Sequence, residues 1–130
     1  MDLLPFNTQE EFTFLCKRIA SYFNFLNRFG FNIVAETWPR GNSFKDGFQI
    51  IYSKPYLKVI IQYYDMEFDV RFETQNETIS FYFIDREFFQ NQSGFQGSMF
   101  PRNKIQNAAK VIANEIDSNY YRILDLDEQK

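Results

Sequence analysis

The chain has no histidine among its 130 residues. That excludes catalytic triads built on imidazole and removes the commonest transition-metal ligand. There is one cysteine, Cys16, so an intramolecular disulfide, a Cys-x-x-Cys redox motif and a zinc knuckle are all excluded. Cys16 sits mid-helix between Leu15 and Lys17, which reads as core. Glycine is scarce, at five residues, and none belongs to a phosphate-cradling loop: "GNSFKDG" has no Gly-Lys-Ser/Thr ending and no helix pattern after it. The 14 Lys and Arg form no run and face 17 acids, for a net charge of −3 and a pI near 5.0. Affinity for a phosphate backbone comes from clustered cations, so nucleic acid is not expected as a partner and a basic protein is. Arg40, Lys45, Lys54 and Lys58 gather near one hairpin, but with acid beside them they read as a solvated surface. The start "MDLLPFNTQEEF" has no basic segment leading into an apolar run, and no apolar stretch approaches the ~20 residues of a membrane helix. A single cysteine suits a reducing compartment, so the expectation is a cytoplasmic protein away from membranes.

What the chain has in excess is aromatic side chains: 17 Phe, eight Tyr and one Trp, 20% of all residues. Rings bury large areas, so few positions make a core and some rings are left for a surface. The length suits one domain over 1–130.

Thr8-Gln9-Glu10-Glu11 has the form of a capping box. A helix is expected over 8–29, with Phe12, Leu15, Cys16, Ile19, Tyr22, Phe23, Leu26 and Phe29 at helical spacing and Gly30 as its stop. Phe14 and Phe25 widen its apolar face, so the helix is either covered on two sides or exposes rings. Five strands follow, at Phe31–Trp38, Gly47–Ser53, Tyr56–Tyr64, Glu67–Thr74 and Thr78–Asp85, separated by turn signals at 39–43, Lys54-Pro55, Asp65-Met66 and Gln75–Glu77. Residues 86–100, "REFFQNQSGFQGSMF", carry no periodic signal and read as a long connection. A second helix is expected over 102–124, after Pro101. Nothing between the strands is helical, and parallel neighbours would need a crossover. The fold class is therefore α+β: an antiparallel meander of four to five strands flanked by an N-terminal and a C-terminal helix.

Two groups of residues are candidate sites. The first is acidic. In "DMEFDVRFE", Asp65, Glu67, Asp69 and Glu73 fall on one face of a strand while Phe68, Val70 and Phe72 fall on the other. Such a stripe is a solvated face, a docking surface for a basic partner, or a site for Mg²⁺, since neighbours on a face lie about 6.5–7 Å apart. No lysine–carboxylate constellation accompanies it, so no catalytic residue, bound metal or cofactor is expected. The second group is aromatic. Phe88, Phe89, Phe95 and Phe100 in the long connection, with Trp38 at the end of the first strand, either form a satellite core or stay exposed as anchors for a partner.

In size, acidity and helix–meander–helix order the chain resembles the small immunity proteins that bacteria pair with secreted toxins. The resemblance is one of layout over the whole chain, and no residue is carried over from it. It implies a cytosolic non-enzyme that binds one toxin tightly and blocks its active site. Many such toxins are basic nucleases, which an acidic stripe complements. The expected function is a protein-binding module of this inhibitor type, steered by the stripe and anchored by the rings. The alternatives are a small-molecule-binding domain with an aromatic pocket, a metal-dependent hydrolase using the acidic strand, and a subunit that self-associates through an edge strand or the aromatic connection.

Overall fold

Alternation of apolar and polar residues sets the sheet. In the computed structural model, which describes residues 14–37, 47–64 and 66–125, five strands are hydrogen-bonded in sequence order: β1 (Asn32–Thr37), β2 (Gly47–Lys54), β3 (Leu57–Tyr64), β4 (Glu67–Glu73) and β5 (Thr78–Ser80). Every neighbouring pair is antiparallel. Two-residue turns join the central strands, because Lys54 is partnered with Leu57 and Tyr64 with Glu67. Met66 takes φ +72° in the second turn, the left-handed backbone that tight hairpins require. On β1 the register shifts between Ile33 and Ala35, a bulge at the sheet edge.

One face of the sheet is the core face. Phe48, Ile50 and Tyr52 of β2, Leu57, Val59, Ile61 and Tyr63 of β3, and Phe68, Val70 and Phe72 of β4 are all buried there. Each such side chain contributes roughly 1.5–3 kcal/mol on leaving water. Register is thereby fixed, since a slip of one residue would exchange Phe68, Val70 and Phe72 for Glu67, Asp69 and Arg71.

The helices complete the same core. Residues 14–22 form α1, which buries Leu15, Cys16 and Ile19. The expected continuation to residue 29 is not α-helical. The chain tightens at Phe23 into a 3-10 helix, Asn24–Phe29, in which the Leu26 N–H bonds the Phe23 carbonyl at 3.0 Å. Side chains three apart stay on one side in either winding, so the spacing of Phe23 and Leu26 does not distinguish them. Gly30 ends the element at φ +91°. Thr8, Glu11 and Phe12 lie outside the described residues. Phe14 is exposed, with the Arg18 guanidinium 5.1 Å over its ring.

The fifth strand also ends early. Ser80 stops β5 by capping α2 (Phe81–Ile84): its Oγ accepts the Tyr82 N–H at 3.2 Å. The connection after it is partly helical. Asp85 Oδ1 accepts the Phe88 N–H at 3.0 Å and caps α3 (Arg86–Asn91). The chain then returns along the start of β4, where the Phe68 N–H bonds the Ser98 carbonyl at 2.9 Å and the Phe100 N–H bonds the Met66 carbonyl at 2.7 Å. The C-terminal helix divides at Tyr120 into α4 (Arg102–Asn119) and α5 (Tyr121–Leu124). Ile105, Ala109, Ile112 and Ile116 of α4 are buried. Tyr52 Oη donates to the Ala20 carbonyl of α1 at 3.2 Å, and Tyr63 Oη to the Phe100 carbonyl just before α4 at 2.7 Å. Among the described residues no helix is long and apolar enough to cross a membrane.

One charged side chain is drawn into this packing. Lys54, at the end of β2, is only 7% exposed. Its Nζ donates to the Phe29 carbonyl at 3.0 Å and to the Leu124 carbonyl at 2.5 Å, and it lies 4.9 Å from the Phe31 ring centroid. The two carbonyls close the 3-10 helix and α5, where helix dipoles leave negative charge.

Candidate functional site

The acidic stripe lies where alternation puts it, on the face away from the core, but it is not a free row of carboxylates. Asp65 is outside the described residues. Glu67 is exposed and accepts from Ser98 Oγ at 3.4 Å. Asp69 is half-buried: its Oδ1 accepts the Ser80 hydroxyl at 2.5 Å, and its Oδ2 lies 3.5 Å from Arg71 Nε. Arg71 in turn donates through Nη2 to Gln62 at 2.9 Å. Glu73 stands opposite Lys58 in the β3–β4 register. Three described carboxylates thus share the face with two cations, and a small net charge remains. The residue missed from sequence is Ser80. Its hydroxyl caps α2 while donating to Asp69, so the stripe is tied to the end of the sheet. Among the described residues no group of three or more metal-ligating side chains is placed to hold an ion.

The four rings of the long connection are not a set of exposed anchors. Phe89 is buried, and Phe88 and Phe95 are half-buried against the core. Phe88 and Phe89 meet edge to face at 5.5 Å, and Phe95 meets the buried Phe100 at 4.9 Å. The physical reason is the return of the chain onto β4, which carries Phe95 and Phe100 inward where apolar burial is favourable. Phe81 sits at the centre of the cluster, with Phe72, Phe88, Phe89 and Tyr120 around it. Trp38 is outside the described residues.

An exposed ring lies next to this cluster instead. Phe83, on α2, is 60% exposed. Tyr82 meets it edge to face at 5.5 Å, and the Arg86 guanidinium lies 4.9 Å from its centroid and 6.0 Å from that of Tyr82. The backbone under this trio is held at both ends. Ser80 caps α2, and Asp85 caps α3 while its Oδ2 accepts the Tyr120 hydroxyl at 2.5 Å. Partial burial and then the Asp85 carboxylate push the Tyr120 phenol up to about 12, so it stays protonated and donates. Sequence reasoning missed Phe83 because Ile79, Phe81 and Phe83 alternate as a strand would. The available signal was Ser80 and Asp85, two N-cap residue types spaced for consecutive short helical turns.

On the sheet face away from the core, a cleft of about 650 Å³ lies between the start of β1 and the β2–β3 hairpin, lined by Val34, Ser53, Tyr56, Lys58 and Glu73 among others. A smaller one of about 270 Å³ lies beside the first turns of α4, against Phe95, Phe100 and Lys104. Neither is the ring-lined pocket between sheet and helix that a small-molecule binder would use.

Comparison of the chain with protein-family models, with curated proteins and with solved structures finds no match in any of the three.

Proposed function

We propose that this protein is a binding module for another protein, acting in the cytoplasm by occlusion rather than by chemistry, and that it docks through the corner formed by α2 and α3. The observation that carries this reading is Phe83. A ring left 60% exposed beside a buried aromatic cluster forgoes burial that its neighbours obtain. It is also held in place before any partner arrives, because Tyr82 and Arg86 pack on it and capped turns support it. Aromatic and arginine side chains are the usual energetic centres of protein interfaces, and a contact fixed in advance avoids ordering costs on binding. An immunity-type inhibitor that covers a toxin's active site is one form of such a module. The acidic balance of the chain and its helix–meander–helix layout support that form.

The test is affinity capture with the wild-type chain and with Phe83→Ala, followed by reconstitution of the purified pair. Support is a defined complex whose affinity falls about tenfold or more in the variant, the loss typical of an interface hot spot. A partner held equally by both chains overturns the assigned surface.

A further inference from the structure

We infer that the Phe83–Arg86 corner recognises a partner segment carrying a carboxylate beside an apolar side chain. This rests on the reading above and names the chemistry of the contact. The guanidinium of Arg86 lies over the Phe83 ring at 4.9 Å. A guanidinium beside a ring keeps N–H donors in its own plane, and their spacing matches the fork of a carboxylate. Among the described residues those donors are unspent, since the ion pairs there join Arg28 to Asp117 and Arg71 to Asp69.

The two acids next to Arg86 in the chain do not satisfy it. Both oxygens of Asp85 are engaged, one by the Phe88 N–H and one by the Tyr120 hydroxyl. Glu87 follows Arg86 directly on α3, and adjacent helical residues do not face each other. The corner therefore offers an exposed apolar ring with an uncommitted cation beside it. A carboxylate next to a leucine-like side chain complements both at once. This differs from the basic partner that the net charge of −3 suggests, because a contact reads the local charge and not the total.

The experiment uses the full chain labelled with ¹⁵N and three capped tripeptides as probes: leucine–aspartate–leucine, leucine–asparagine–leucine and leucine–lysine–leucine. Chemical shifts of the Phe83 amide and the Arg86 Nε–H are followed to a dissociation constant. The aspartate peptide is expected to bind about two- to fivefold more tightly than its asparagine isostere, the size of one exposed ion pair. That preference should shrink in high salt and vanish in Arg86→Gln, while Phe83→Ala loses all three peptides. Equal binding of the three, or preference for lysine, overturns the acidic assignment and leaves the docking corner standing. No shift at Phe83 or Arg86 with any peptide overturns the corner itself.

Discussion

Replacing Lys54 with methionine keeps an unbranched apolar stem and removes the ammonium. The native group donates to the last carbonyls of two helical elements, Phe29 and Leu124. Hydrogen bonds to a charged donor are worth about 1.5–3 kcal/mol each, which puts the gross loss from these two at roughly 3–6 kcal/mol. Two effects reduce it. Burial of the ammonium costs free energy that the variant no longer bears. The Phe29 carbonyl is also only partly buried and can be rehydrated. The expected net destabilisation of Lys54→Met is therefore about 2–4 kcal/mol, a large share of the ~5–15 kcal/mol that holds a typical domain folded. Urea denaturation followed by circular dichroism reads it directly. The midpoint should fall by about 1–2 M at unchanged slope, taking a slope near 2 kcal/mol/M. Lys58→Met, on the same hairpin but exposed, should stay within about 0.5 kcal/mol. Hydrogen exchange adds a spatial signature: amides at 24–29 and 121–124 should lose protection together. If Lys54→Met unfolds at the midpoint of Lys58→Met, the ammonium is not the link between the two helix ends.

Phe81→Ala should cost about 3–5 kcal/mol in chemical denaturation, because Phe81 is buried at the centre of the ring cluster, whereas Phe83→Ala should cost about 0.5 kcal/mol or less; equal costs would mean that Phe83 is also structural. In the acidic strand, Glu67→Lys should leave stability within about 0.5 kcal/mol, while Asp69→Lys should lose about 1–2 kcal/mol by breaking the Ser80 hydrogen bond and facing Arg71; matching midpoints would refute the network. The raised phenol of Tyr120 predicts a linkage at high pH. Its contribution to stability is complete below the ordinary tyrosine value near 10 and is lost as pH rises through about 12. Between those limits the stability measured by denaturation should therefore fall more steeply with pH in the wild type than in Tyr120→Phe, and parallel curves would contradict the assignment.

The central strands were legible because Phe68, Val70 and Phe72 alternate with charged residues, and only one register buries the rings. The stripe on the opposite face followed from the same alternation, but its pairing with Ser80 and Gln62 did not, because those partners come from other strands. Two misreadings share a cause. Phe23–Phe29 and Phe81–Ile84 both have apolar spacing compatible with more than one winding. What decided between them was local: hydrogen bonds to Ala20 and Phe23 in the first segment, and the Ser80 cap in the second. The second misreading hid the candidate site. A strand through residue 83 would turn Phe83 inward with Phe81, whereas the helical turn sets them on opposite sides. For Phe88, Phe89 and Phe95 the sequence left satellite core and exposed anchors open for a longer-range reason, since their burial depends on residues 98–100 reaching back to β4.

The meander pairs each strand with its neighbour in the chain, while α4, which completes the core, comes after all five strands. On a ribosome this order has a temporal consequence. The sheet is fully synthesised at Ser80, yet Ile116, near the end of the buried stripe on α4, is added 36 residues later. At about 5–20 residues per second that is an interval of roughly 2–7 s. Until α4 is added, the apolar face of the sheet lacks its last covering helix, and chaperones that grip exposed rings have their opportunity on this protein in that interval.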